Sequence, residues 1–252
     1  MSGFTSILIT GASSGLGAGL ARVFAAPGIT LHLSGRDLGR LDEVAGQCRA
    51  RGSEVYTAPV DVTDRAATAR WVESSEAIRP LDLIIANAGI SAGTGGRGET
   101  EAQTRAIFAT NVDGVFNTVL PAIAFLKERH RGQIGIMSSL ASFRGFPGAP
   151  AYCASKAAVR VWGESLRGEL APLGVGVSVI CPGFVKTPMT AVNRFSMPFL
   201  MDVERASRIM ARGLAGNRGR IAFPWPMHVM ARLAGCLPSA LMDRIAGGLP
   251  RK

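Results

Sequence analysis

The stretch FTSILITGASSGLGAGLARVFAA, residues 4–26, changes character within one turn. FTSILIT (4–10) is a short apolar run of the kind that forms a buried strand. GAGLARVFAA (17–26) reads as a helix. Between them lies TGASSGLG (10–17), in which Gly11, Gly15 and Gly17 let the backbone turn tightly and come close to a ligand. The helix that follows offers its first N–H groups to a pyrophosphate, with Ser13, Ser14 and Leu16 completing the turn. Three residues separate Gly11 from Gly15, so this is not the usual G-x-G-x-x-G. A purely structural strand-to-helix turn could use the same glycines. Its position at the first such turn of the chain is what points to a dinucleotide.

Working outward, the alternation continues. Strand-like runs lie at 29–34 (ITLHLS), 53–62 (SEVYTAPVDV), 81–89 (LDLIIANAG), 132–139 (GQIGIMSS), 174–183 (GVGVSVICPG) and 219–223 (GRIAF). Helical stretches intervene, among them about 38–51 and 64–78. Strands separated by helices imply right-handed crossovers and a parallel sheet covered on both faces. The expected architecture is α/β: a single doubly wound Rossmann-type domain with a seven-stranded parallel sheet. No linker or repeat divides residues 1–252, and SAGTGGRGET (91–100) reads as a surface loop.

The end of the second strand indicates which dinucleotide. An acid there would bond the adenosine ribose of NAD and oppose a 2′-phosphate. Here the corner reads LSGRD: Gly35 leaves space and Arg36 offers a guanidinium fork suited to a phosphate. NADP(H) is therefore expected over NAD(H), with the neighbouring Asp37 as the one opposing feature.

Composition narrows the class. With 47% hydrophobic and 18% charged residues the chain is globular rather than disordered. It has neither a signal-peptide pattern at its start nor an uninterrupted apolar run of about 20 residues. Its four cysteines (Cys48, Cys153, Cys181, Cys236) show no C-x-x-C pairing, and no histidine stands at metal-ligand spacing. They fit a reducing, cytoplasmic setting and no metal is expected. The net charge of +10 is concentrated: residues 205–252 hold eight Arg and one Lys against one acid, which is +8 of it. With no aromatic-interleaved basic patch, nucleic-acid binding is not expected.

Taken as a set, TGASSGLG, NAG (87–89), Asn111 in TNVDGVF, SS at 138–139, YCASK (152–156) and PGFVKT (182–187) resemble the short-chain dehydrogenase/reductase family. The resemblance covers about residues 1–190 and implies an NADP(H)-dependent oxidoreductase acting on a carbonyl or secondary alcohol. It makes Tyr152 the proton donor or acceptor, Lys156 its activator and a ribose ligand, Ser139 the partner of the substrate oxygen and Asn111 the holder of a relay water. In that family the serine precedes the tyrosine by thirteen residues, which selects Ser139 over Ser138. Asp61 and Val62 would bound the adenine, Asn87, Ala88 and Gly89 would line the cofactor, and Pro182, Gly183, Val185 and Thr187 would hold the nicotinamide. A homodimer or homotetramer is also implied.

The chemistry explains the pair at the centre of that set. Tyr152 and Lys156 are one helical turn apart and share a face. A free tyrosine has a pKa of about 10. A cation about 4 Å away at an effective dielectric of about 20 contributes about 4 kcal/mol, enough to bring it toward 7 before desolvation acts. The substrate side is expected in the apolar segments near 188–203 and beyond, with Phe184, Met189, Phe195, Met197, Phe199 and Trp225 as wall candidates for an apolar ketone or aldehyde. The apolar, basic segment 224–247 is a candidate for peripheral membrane contact, for packing on a sister subunit or for receiving an acidic carrier.

Overall fold

A computed structural model describes residues 3–92, 98–193, 195–238 and 240. Strand β1 (Ser6–Ile9) is fully buried and leads into helix α1 (Gly15–Phe24). Then follow β2 (Thr30–Ser34), α2 (Leu38–Arg49), β3 (Glu54–Ala58), α3 (Arg65–Ile78) and β4 (Leu83–Ala86). The second half contains α4 (Glu101–Phe108), a π-helical turn (Ala109–Asp113), α5 (Gly114–Glu128), β5 (Gln133–Met137) and α6 (Pro150–Leu170). It ends with β6 (Gly176–Pro182), α7 (Pro188–Ala191), α8 (Val203–Ala215), β7 (Arg220–Phe223) and α9 (Trp225–Cys236).

The seven strands form one sheet in the order β3-β2-β1-β4-β5-β6-β7, every pair parallel. Alternation along each strand supplies both faces. In β1, Ile7 and Ile9 join Leu20, Leu31, Leu41 and Leu214 on one side. Leu8 joins Ile84, Val115, Val119, Ile134 and Val159 on the other. Each such aliphatic side chain contributes about 1.5–3 kcal/mol by leaving water, so these two layers hold the sheet between its helices.

Helix starts follow from local sequence. Asp37 caps α2 by accepting from the Arg40 N–H at 3.0 Å, and Asp64 caps α3 by accepting from the Ala67 N–H at 2.9 Å. The helical run Glu101–Glu128 is long and apolar enough by composition to cross a membrane. Its α5 portion instead packs on β4, β5 and α3, burying Val115, Val119, Ala122 and Leu126.

The strand order reverses between β1 and β4, the two neighbours whose crossovers leave in opposite directions. That reversal opens a crevice at the carboxyl ends of the strands, where every loop of the expected site lies. Within the expected surface loop at 91–100, positions 93–97 lie outside the described residues, as does the end of the 224–247 segment.

Candidate active site

The crevice is a cleft of about 300 Å³. Its floor is the turn after β1, where Gly11 (φ +64°) and Gly15 (φ +54°) adopt left-handed backbone that side-chain-bearing residues rarely tolerate. Gly17 is required for a different reason: a Cβ there would lie 2.3 Å from the Gly11 carbonyl oxygen and 2.6 Å from Asn87 Nδ2. Asn87 ties this turn to the end of β4, donating from Nδ2 to the Thr10 carbonyl at 2.8 Å and to the Gly11 carbonyl at 3.2 Å. Thr10 Oγ1 in turn accepts from the N–H groups of Asn87 and Ala88 at 3.0 and 3.1 Å. The two loops form one rigid cradle.

At one end of the cleft, Gly35 backs onto Ser13, where an added Cβ would meet the serine Oγ at 3.1 Å. Arg36 is two-thirds exposed and 3.9 Å from Asp61. Asp61 also accepts from the Thr63 N–H and hydroxyl, and the backbone bond is the main cause of a pKa held below the usual carboxylate value. Asp37, the opposing feature in the sequence, is engaged by its own helix: its carboxylate pairs with Arg40 Nε at 2.7 Å. Arg40 lines the cleft beside Arg36. The sequence reading missed it, although Asp-x-x-Arg at a helix start was the available signal.

At the other end, Tyr152, Lys156, Ser138 and Ser139 converge. Ser139 lies just past β5; its Oγ accepts from the Ala141 N–H at 3.1 Å, and its side chain hydrogen-bonds the Tyr152 phenol. Ser138 faces elsewhere, donating from Oγ to the Lys156 carbonyl at 2.8 Å. Ser139 is thus the serine beside the phenol, and Ser138 the one tied to the backbone of α6. Lys156 is buried and donates from Nζ to the Met137 carbonyl at 2.9 Å. Burial lowers its pKa to about 8, only partly opposed by Cys181. Burial also pushes the Tyr152 phenol above its usual value, and the bond from Ser139 offsets only part of that. The Lys156 ammonium is turned to a backbone carbonyl rather than to the phenol oxygen.

Asn111 sits in the π-helical turn, fully buried. Its Oδ1 accepts from the Ile90 N–H at 2.8 Å, and its Nδ2 donates to the Ile90 carbonyl and to Ser155 Oγ, both at 3.0 Å. It braces the loop after β4 from behind without lining the cleft. A Cβ on Gly89 would come within 3.1 Å of both Asn111 Oδ1 and Lys156 Nζ, so glycine keeps this wall open.

Of the remaining expected residues, Ser14, Leu16, Val62, Pro182, Gly183, Val185 and Thr187 line the cleft. Among the six apolar wall candidates only Met189 does so. The Phe184 ring packs edge-on against Phe195 at 5.9 Å, and Met197 meets Asn193 through sulfur. Phe199 and Trp225 are 53% and 74% exposed. Ile90, Thr110, Met137, Pro188 and Thr190 line the cleft in their place. Met137 ends β5, Ile90 lies in the loop after β4, Thr110 in the π-helical turn, and Pro188 and Thr190 in the short α7, none in a run with a marked periodicity. Among the described residues no three His, Cys, Asp or Glu side chains gather as a metal site would require.

Residues 5–196 match the short chain dehydrogenase family model, and the chain belongs to that family of oxidoreductases. An uncharacterized oxidoreductase of Myxococcus xanthus is 40% identical over 244 residues, 96% of each chain. The ketoacyl reductase HetN of Nostoc sp. is 32% identical over 200 residues, 79% of this chain and 70% of the relative. The crystal structure of a short chain dehydrogenase from Mycobacterium paratuberculosis bound to NAD is similar, with a TM-score of 0.75 at 25% identity, covering 86% of this chain and 94% of that one.

Proposed function

We propose that the protein is an NADP(H)-dependent reductase of apolar ketones or aldehydes, reversible as a secondary-alcohol dehydrogenase. The observation that carries the proposal is the meeting of Tyr152, Ser139 and Lys156 at one end of a cleft whose other end is the glycine cradle with Arg36 and Arg40. The cradle fits a dinucleotide because Gly11, Gly15 and Gly35 bring bare backbone to the cleft surface at the start of α1, while Gly17 lets that turn pack against Asn87. A bound nicotinamide supplies or receives the hydride.

The chain handles orientation and the proton. Ser139 and the Tyr152 phenol form two adjacent hydroxyls that can hold a carbonyl oxygen between them. A phenol raised by burial is fully protonated at neutral pH, so it is ready to donate to that oxygen as negative charge develops. Lys156 is the cation placed to offset the phenolate left behind. Arg36 and Arg40 offer two guanidinium groups to a 2′-phosphate, with Asp37 neutralised by its pairing to Arg40.

A 3-oxoacyl or lipid-like ketone at a membrane or carrier surface is the second reading. The ketoacyl reductase relative favours it, as does helix α9, which presents Trp225, Met230 and Leu233 outward at 74%, 61% and 62% exposure. Oxidation of NADPH with a panel of aliphatic, aromatic and steroidal ketones and 3-oxoacyl thioesters tests both. Turnover with simple ketones supports the first reading and turnover confined to 3-oxoacyl thioesters the second. Tight NADPH binding with no turnover on any of them would leave a silent binder or a substrate outside the panel.

A further inference from the structure

Helix α6 begins without a local cap. Its N-cap residue is Ala149, whose methyl group can accept nothing, and Pro150 at the first helical position has no N–H. The Cys153 N–H reaches the Ala149 carbonyl at 3.0 Å. Two donors remain, the N–H groups of Ala151 and Tyr152. Both point at one carboxylate from far upstream: Glu99 accepts from Ala151 through Oε2 at 2.6 Å and from Tyr152 through Oε1 at 3.5 Å. Ala151 is 5% exposed, so water cannot readily replace that acceptor.

Glu99 is itself held in place. The next residue, Thr100, caps α4 in a reciprocal box: its Oγ1 accepts from the Gln103 N–H at 3.2 Å and its N–H donates to Gln103 Oε1 at 2.9 Å. One short stretch therefore fixes the starts of two helices. Lys156 has anchors of its own, in Ser138 Oγ and the Met137 carbonyl. Tyr152 lies in the first turn of α6, the part of a helix that frays when its donors lack partners.

We propose that Glu99 is the positioning residue for Tyr152, supplying from the loop after β4 the helix cap that Ala149 and Pro150 cannot, and so fixing the phenol against Ser139. The carboxylate also meets the positive end of the α6 dipole, which stabilises the same turn. The catalytic consequence rests on the function proposed above; the structural consequence does not.

Tyr56 is the only other tyrosine in the chain. In a Tyr56→Phe background the phenolate absorbance therefore reports Tyr152 alone. Adding Glu99→Ala is expected to move the Tyr152 titration down toward its ordinary value, because a loosened first turn admits water to the phenol. Amide exchange at 151–153 is expected to accelerate while β1 and α1 stay protected. With NADPH and a reducible ketone, kcat should fall about ten- to a hundredfold while NADPH affinity stays within about twofold. Glu99→Gln keeps one acceptor oxygen and should recover part of the loss. It carries the same readouts at smaller amplitude if Glu99→Ala does not fold. An unchanged titration and unchanged exchange would overturn the proposal. So would equal losses of kcat, NADPH affinity and thermal stability that Gln does not relieve. If the unmodified protein reduces no carbonyl, the function proposed above fails, and titration and exchange still decide the role of Glu99.

Discussion

The Lys156 ammonium donates to the Met137 carbonyl at 2.9 Å while lying 6.0 Å from the centre of the Tyr152 ring. The spacing of four residues puts both side chains on one face of α6, but the lysine reaches past the tyrosine to the end of β5. Its charge is thus stationed at the Tyr152 end of the cleft, held among the described residues by one hydrogen bond from the ammonium. Two consequences of burial meet at this point: a phenol that resists ionisation and an ammonium that gives up its proton unusually early.

The lysine makes a stability prediction with a definite sign. Its pKa is lowered from 10.5 to about 8. Below pH 8 the charge is carried in both folded and unfolded chains, and the folded one bears the full cost of burying it. Between about 8 and 10.5 the unfolded chain holds a proton that the folded chain has released, so stability rises with pH. From pH 7 to 9.5 the unmodified protein should gain about 2 kcal/mol relative to Lys156→Met. Urea denaturation of the two proteins across that range is the check, and parallel pH profiles would contradict the burial cost.

His32 should make the fold sensitive to acid. It lies in the middle of β2, fully buried, stacked on Tyr56 at 5.4 Å, and neither ring nitrogen has a hydrogen-bond partner. Burial lowers its pKa from 6.5 to about 4, against a smaller opposing pull from Glu54. The stability that comes from keeping it neutral is present above 6.5 and is lost as pH falls through that value toward 4, by about 3 kcal/mol in all. His32→Leu should flatten the melting temperature between pH 6.5 and 4.5. A variant that loses stability over that interval as steeply as the unmodified protein would assign the acid sensitivity elsewhere.

Arg36→Ala should weaken NADPH about tenfold and leave NADH nearly unchanged. The modest size follows from exposure: two-thirds of the Arg36 side chain is in solvent, and screening discounts its charge. Arg40→Ala should also weaken NADPH, because it removes a guanidinium and leaves the Asp37 carboxylate without its partner. Fluorescence titration with both cofactors measures this. Equal losses for NADPH and NADH would remove the phosphate-clamp role.

What the sequence displayed and what it concealed divide along physical lines. Hydrophobic period and glycine placement are local properties, so the seven parallel strands and the turn at 10–17 are legible in the sequence. The strand expected over 53–62 stops at Ala58, because the Val60 N–H, next in turn to donate to β2, bonds back to the Ala58 carbonyl at 3.0 Å. The choice of Ser139 over Ser138 comes from the spacing in the family it resembles; in the fold Ser139 bonds the Tyr152 phenol and Ser138 the Lys156 carbonyl. Contacts between distant segments left no such trace. Glu99 and Ala151 are 52 residues apart, and nothing in either segment announces the bond between them. Five of the six apolar wall candidates lie off the cleft for a related reason. Phe184 and Phe195 satisfy each other, and composition cannot tell an aromatic pair packed together from one lining a cleft.

Replacing Tyr152 by phenylalanine and measuring NADPH oxidation beside NADPH binding tests the proposed chemistry most directly. The substitution removes one hydroxyl and keeps the ring, so the cleft and the Lys156 anchors should persist. Turnover should drop by about three orders of magnitude or more, since both the proton donor and the partner of Ser139 are lost. NADPH affinity should remain within about threefold of the unmodified protein. A Tyr152→Phe protein that still reduces ketones at the original rate would show that the proton comes from another group.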